Sequence, residues 1–473
     1  MHSAVGLIRA KRKILGLVPS LLGVMLVFAV LLVDTHHVSA APLSAVRVNA
    51  IPAFARKYGM PCSSCHLAWP MLSPFGQAFK DNGYQMGNDR DAPIYQNPAY
   101  WPASMRITPI WHRETTNRVQ VDDPNTGDQT EARITTHGFD YSGLDILTAG
   151  TLAKNVSFLL VPSSDETGAF HMESVNVRLD NLLHSSWLNF KFGKFELDNL
   201  LSEKRILTLS PNGGFYLNYH FQPLSSPGVG EAFYAFGLGD NQVGMEWMGH
   251  SKDDRTRVSA SLLSSTDGNP DLLTSRTYDA YFAASQAFQV GSLGLQRVGA
   301  FAYIGQTPTF FQYTEGGAPV PGVGIGNKTF YRAGLIGQFY IKKYDLTAMY
   351  FHSSDNAFIA TNTPANTTLP IGGRAGIWNG GLFESHYTLN PQFILIQRYE
   401  LVRMSQQPFA SNPSNLSNED AFVVGYRYYP FISTRAGFAI HNEFAIVRQR
   451  GAAPITGLDL TSSSVLVGFD FAF

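Results

Sequence analysis

The sequence predicts an all-β protein: an outer-membrane β-barrel of about 16 antiparallel strands, with a small N-terminal α-helical segment placed to plug its lumen. Three observations predict it. Charged residues are only 15% of the 473-residue chain and aromatics reach 13%, low charge and high aromatic content for a water-soluble protein. Hydrophobicity alternates with period two through most of the chain after residue 104. The connections between the alternating stretches are long and short in turn, the asymmetry of outer-membrane barrels with short periplasmic turns and long outer loops. A soluble sandwich or propeller has strands of about five or six residues around a packed core. A formal net charge of −1 gives no bulk attraction to nucleic acid.

Residues 1–40 read as an export signal. Arg9, Lys11, Arg12 and Lys13 form a basic start, an apolar run of 20 residues follows over 14–33, and "VSA" places small residues before a cut after Ala40. Residues 41–103 form a second segment with two small helices. Pro52 suits a first helical turn and Gly59 the end of that helix. Ser73 is placed as an N-cap, Pro74 as the first helical residue, and Gly83 as the glycine past the C-terminus. About 60 residues build a poor core alone, so the segment must pack on something else.

Residues 104–473 supply the barrel. The candidate strands are 105–112, 138–150, 155–162, 172–181, 187–196, 240–250, 256–265, 276–288, 294–306, 328–341, 344–354, 375–390, 392–405, 419–430, 434–449 and 461–473. Each approaches the ~9–11 residues of a tilted spanning strand. In the last, Val465, Val467, Phe469, Phe471 and Phe473 share one face, for lipid, and Leu466, Gly468, Asp470 and Ala472 the other, for the lumen. Connections 113–137, 197–239, 307–327, 355–374 and 406–418 are long; "LAKN", "SKDD", "KK", "NP" and "IS" are short. An even strand number puts both termini on the short-turn, periplasmic side. Asp122, Asp123 and Glu131 fall in the first long connection and read as solvated loop charges.

The chemistry lies in "CSSCH", which holds the chain's two cysteines, Cys62 and Cys65, with His66 directly after. C-x-x-C-H is the attachment signature of haem c. Thiols three apart on one helical turn reach the two vinyl groups at one haem edge, and the adjacent imidazole gives its Nε2 to iron. Three rivals share the spacing. Zinc wants four ligands, and there is no second cysteine pair. A redox dithiol wants a βαβ context, absent here. An exported chain can also close a lone disulfide. For the sixth iron position Met86 is preferred, since it follows the second helix and can fold back; Met60, Met71, His112 and His137 are the other candidates, and the position can also stay open.

The stretch "IPAFARKYGMPCSSCHLAWPMLSPFGQAFKDNGY" resembles the N-terminal segment of the fused outer-membrane monohaem cytochrome–porin family, which includes the outer-membrane c-type cytochrome of iron-oxidising bacteria. Pro52, Phe54-Ala55-Arg56, Gly59, Cys62, Cys65, His66, Pro70, Leu72, Phe75-Gly76, Phe79-Lys80 and Gly83-Tyr84 carry the resemblance. It implies one covalent haem c on Cys62 and Cys65, with His66 on iron. It further implies electron transfer across the outer membrane between an extracellular donor, Fe(II) favoured, and a periplasmic c-type cytochrome or other soluble carrier, an Fe(II):cytochrome c oxidoreductase activity. The same hardware also serves outward transfer to an external acceptor, or a solute porin with a haem-bearing plug. No catalytic residue stands out. The expected location is the outer membrane, with the haem segment on the periplasmic side or in the lumen.

Overall fold

The computed structural model describes residues 53–68, 71–87, 91–93, 103–123, 126–164, 168–197, 207–208, 241–264, 278–307, 312–315, 318–321, 328–360, 369, 371–407, 418–432, 436–450 and 459–472. The export signal and its cut, Pro52, Pro70, Phe473 and most of the 197–239 connection lie outside the described residues. The small N-terminal segment comprises α1 (Ala53–Tyr58), α2 (Cys62–Cys65), β1 (His66–Ala68), β2 (Met71–Leu72) and α3 (Pro74–Asp81). Ser73 is the N-cap of α3, its side chain accepting from the Gly76 N–H, with Pro74 at the first helical position. These are the two helices expected from Pro/Gly punctuation, plus the single turn α2 between them. The β1–β2 pair was not expected, because strands of two or three residues have no periodicity to read.

The barrel strands follow: β3 (Ala103–Asp122), β4 (Gln129–Ala153), β5 (Val156–Ser164), β6 (Phe170–Leu179), β7 (Asn189–Phe195), β8 (Gln242–His250), β9 (Thr256–Ser264), β10 (Tyr278–Gln289) and β11 (Leu295–Thr307). After a small hairpin, β12 (Gln312–Glu315) and β13 (Ala318–Pro321), come β14 (Lys328–Ile341), β15 (Tyr344–Asp355), β16 (Gly376–Asn390), β17 (Phe393–Gln406), β18 (Asn418–Ile432), β19 (Gly437–Arg450) and β20 (Asp459–Ala472). Sixteen of these form one closed antiparallel barrel, sealed where β20 meets β3 with Ala472 opposite Arg106 and Val467 opposite Trp111. All sixteen expected strands are present. No described helix is long and apolar enough to cross a membrane.

Two connections differ from expectation. Residues 113–137 are no long loop: β3 and β4 continue as a paired ribbon to Asp122 and Gln129, with Thr115 opposite Thr135 and Val121 opposite Thr130. The β-branched residues along both arms favour extended pairing, and the Thr115 and Thr135 hydroxyls bond at 3.0 Å. The 307–327 connection contains the β12–β13 hairpin, with Tyr313 opposite Val320; Gly316-Gly317, a two-residue turn signal, stands between them in sequence.

The two faces of the barrel divide as the alternation requires. Phe383, Phe422, Phe444, Val465 and Phe469 are exposed on the outside, whereas Ser464, Leu466, Asp470 and Ala472 of β20 are buried within. An apolar exterior on a closed barrel is a lipid-contact surface, since closure leaves no strand edge unpaired.

The lumen wall is packed. Tyr281, Phe301, Tyr303, Phe330, Phe351 and Trp378 belong to one buried cluster. Beside it Asp355 pairs with Arg332 at 2.9 Å and accepts from the Trp378 indole at 2.8 Å. Glu384 accepts from the backbone N–H of Leu207 and the hydroxyl of Thr208, each at 2.6 Å, so this short stretch lies inside the barrel. Arg427 and Arg106 both pair with Asp470, at 3.2 and 3.1 Å. Buried charges are tolerated only in such paired, hydrogen-bonded sets.

Candidate functional site

The cysteines sit on α2, a single helical turn entered through the extended residue Pro61 (φ −71°, ψ 156°) and left through His66 (φ −121°, ψ 132°). Neither cysteine is in a disulfide, and both are half-buried. Burial pushes both up from the ordinary thiol value, and Cys65 rises further because Cys62 lies beside it. His66 is half-buried and begins β1, paired with Leu72. The structure thus holds Cys62, Cys65 and His66 together on one turn and its exit.

Ser73 fixes α3 against that turn. Its N–H bonds the Cys65 carbonyl at 2.8 Å and its hydroxyl lies 3.0 Å from the Ser64 carbonyl. The same oxygen caps α3 by accepting from the Gly76 N–H at 3.0 Å. The approach demands glycine at position 76, where a Cβ would stand 2.0 Å from the Cys65 carbonyl oxygen. The "SPFG" stretch therefore does two jobs: it starts a helix, and it lets that helix rest on the backbone of the cysteine turn.

Met86 is half-buried and packs, with Met60 and Phe54, on a cluster of Tyr58, Phe79 and Tyr84 joined by Ala149 of the barrel. Its N–H bonds Asp91 at 2.8 Å, and Tyr58 donates to the same carboxylate at 2.7 Å. Burial first, and then the Asp91 carboxylate, push the Tyr58 phenol well up. Of the other sixth-position candidates Met60 shares this cluster, and the remaining three lie elsewhere. Met71 packs on the barrel wall. His112 on β3 faces Asp140 at 3.0 Å, and His137 on β4 is exposed.

The segment spans the short-turn end of the lumen. On one side Ala68 and Met71 pack against Ile394, Ile396, Tyr429 and Ala439 of β17–β19. On the other, Arg178 of β6 donates to the Lys80 and Asp81 carbonyls at 2.6 and 2.8 Å. These are the last carbonyls of α3, at the negative end of its dipole, and the Lys80 carbonyl also accepts from the Gly83 N–H at 3.1 Å. Arg178 is held in turn by Asp180 at 2.8 Å. Gly83, at φ +69°, passes so close that a Cβ would meet the Asp180 carboxylate at 2.1 Å. Arg257 of β9 pairs with Asp81 at 3.0 Å, and Lys57 reaches Thr151 of β4 at 3.0 Å. Burial alone would raise Asp81, but Arg257, Lys80 and Arg178 outweigh it and hold the carboxyl below its usual range. None of this seat was legible in the sequence, because its partners lie far apart along the chain, Arg178 and Lys80 by 98 residues and the others by comparable or longer stretches.

Among the described residues no group of three or more His, Cys, Asp or Glu side chains is arranged to hold a metal ion. Fold and segment together define a porin-type barrel with a small helical plug seated at its short-turn end. No family model and no curated protein matches the chain. Among solved structures it is similar to the anion-selective porin from Comamonas acidovorans, at 12% identity and a TM-score of 0.46, covering 78% of this chain and 100% of that one. It is also similar to the outer membrane channel DcaP of Acinetobacter baumannii, at 11% identity and TM-score 0.44 over 78% and 97% of the two chains. A third is a loop-deletion mutant of OmpT, an outer membrane protein of Vibrio cholerae, at 12% identity and TM-score 0.43 over 78% and 99%.

Proposed function

We propose that this chain is an outer-membrane monohaem cytochrome. In this reading its barrel houses a haem-bearing plug, and it moves electrons between an extracellular donor, with Fe(II) favoured, and a periplasmic c-type cytochrome. The donor set fits the group: two thiols outside any disulfide on one helical turn and an imidazole at its exit. Cys62 and Cys65 would hold haem c by thioethers, each S–H adding across a vinyl group, with His66 on iron and Met86 a candidate sixth ligand. Haem bound there supplies one-electron exchange at its iron. The chain's own residues do the rest. Ser73 and Gly76 hold α3 on the cysteine turn, while Arg178 and Arg257 hold α3 in the barrel.

The single observation that carries this reading beyond the motif is the packed lumen. Charged side chains on its wall, Glu384, Glu400 and Arg427 among them, are 0% exposed. An open solute channel keeps such groups in water. A lipid bilayer is otherwise an insulator roughly 30 Å thick, so a plug cofactor gives electrons a site at the periplasmic mouth.

A haem-stained gel and a redox titration of the extracted protein test it. Covalent stain is expected in the wild type and lost in Cys62→Ser/Cys65→Ser, with the haem reduced by added Fe(II). Haem reducible by dithionite but not by Fe(II) would overturn the iron donor, and a midpoint potential well below Fe(II) couples would favour outward transfer. The second reading, a solute porin with a haem-bearing plug, is favoured by the porin-type barrel itself. Rapid sugar entry into liposomes through the intact protein would support it.

A further inference from the structure

We propose that Glu384 of β16 is a positioning residue for the plug: it latches Leu207 and Thr208 to the barrel wall, and through them holds the β1–β2 pair that begins at His66. The inference rests on the haem reading above, which gives His66 its task. Leu207 and Thr208 follow β7 in the connection 197–239 and are buried, at 1% and 3% exposure. Neither lies in a described strand. A buried backbone N–H outside a ladder needs another acceptor. Glu384, 177 residues further on, supplies it. One carboxylate oxygen accepts from the Leu207 N–H and the other from the Thr208 hydroxyl, each at 2.6 Å. The carboxylate is itself fixed from the wall. His386 Nε2 lies 2.6 Å from the oxygen that Leu207 uses, and Arg398 stands 3.8 Å from the one that Thr208 uses. Arg398 also donates to the Thr208 hydroxyl oxygen and pairs with Glu400 at 2.8 Å. Asp345 lies 3.8 Å from the other ring nitrogen of His386.

The latch ends at the plug. Leu207 belongs to the buried cluster that Ala68 of β1 and Met71 of β2 form with Ile394, Ile396, Tyr429 and Ala439 of the wall. Ala68 pairs with Met71 and His66 with Leu72, and these two pairs make up the β1–β2 sheet. A two-stranded pair this short is not stable alone, so its surroundings set its place. One end is held by the bond of 2.8 Å from the Ser73 N–H to the Cys65 carbonyl. The other is held by the cluster to which Leu207 contributes. Ala68 stands two residues from His66, so a loosened cluster shifts the backbone that carries the imidazole. The orientation of an axial ligand is one of the levers by which a protein tunes its haem.

Three variants test this, each made in the haem-bearing full chain and in the haemless Cys62→Ser/Cys65→Ser chain. Leu207→Ala removes the packing and keeps the latch. Thr208→Val keeps the shape and removes one bond from the latch. Glu384→Gln leaves one acceptor for two donors. The first two touch no barrel strand, so they decide the matter even if Glu384→Gln fails to fold. In the haemless chain, amide hydrogen exchange over 66–72 should rise severalfold in each variant while β16 and β17 stay protected. In the haem-bearing chain each should shift the midpoint potential and the Soret band, and Leu207→Met, close in volume, should match the wild type in both. Unchanged exchange over 66–72 overturns the latch. Raised exchange with potential and Soret band unchanged overturns the positioning of His66. A wild-type chain that carries no covalent haem overturns the parent reading instead, and the exchange measured in the haemless chain still decides the latch.

Discussion

Gly76 and the two cysteines carry the sharpest consequences at the scale of single residues. Gly76→Ala puts a methyl 2.0 Å from the Cys65 carbonyl, and both atoms involved belong to or adjoin the backbone. No side chain can rotate away, so α3 must lift from the cysteine turn at a cost of about 1–3 kcal/mol. On the proposed haem reading the expected result is a lower fraction of chains carrying covalent haem; in any case proteolysis of the plug should be faster, with the barrel's thermal transition unchanged. The thiols give a pH prediction. Both are pushed up by burial, so the thiolate fraction at any pH near neutrality is smaller than for a free cysteine. In the haemless protein, iodoacetamide should label them more slowly than it labels a model peptide, with the rate climbing only above the ordinary thiol range. Labelling at the peptide's rate near neutrality would refute the burial argument.

Helix α3 is the element on which the assembly turns, because its two ends meet different parts of the chain. Its start rests on Cys65, and its end is capped from outside the plug by Arg178. Arg178→Ala removes two charge-assisted bonds and strands a buried Asp180, a loss of about 3–5 kcal/mol. Hydrogen exchange should then rise across 74–84 while β6 and its neighbours stay protected. The Asp81–Arg257 pair adds a pH signature. A carboxyl whose value is lowered on folding stabilises fully above its unfolded value, near about 3.9, and loses that contribution as pH falls through the lowered one. Protection of 74–84 should therefore be flat from neutrality to about pH 4 and fall only below it. A loss of protection beginning near neutrality would show that another group holds the helix. Neither Arg178 nor Asp81 announces this role by sequence neighbours, and no period or motif connects them.

For the whole molecule the question is whether sixteen strands enclose a passage or a packed interior. The buried aromatic and ionic sets on the lumen wall, with the plug braced between β4–β9 and β17–β19, put partnered side chains on the inner face and a helical segment across the short-turn end. Liposomes containing the wild-type protein should swell slowly in isosmotic sugar. The double variant Arg178→Ala/Asp81→Ala should swell faster if the plug is what blocks the short-turn mouth. Equal rates would place the block in the ionic and aromatic wall instead.

The sequence by itself determined the strands, their faces, the caps of α3 and the place of the cysteine turn. Each of these depends on residues a few positions apart: alternation at period two, a serine before a proline, two thiols on one turn. What it could not carry was pairing across the chain. The ribbon of β3 and β4 forms because two threonine-rich arms meet across a turn. The seat of the plug exists because strand β6 happens to bring Arg178 under the end of a helix 98 residues earlier. The inner wall carries paired charges because barrel closure turns one face of every strand inward, where charges must find partners or remain in water. Closure is a property of all sixteen strands at once, so only the tertiary structure could show that the barrel encloses a plug held by named ion pairs.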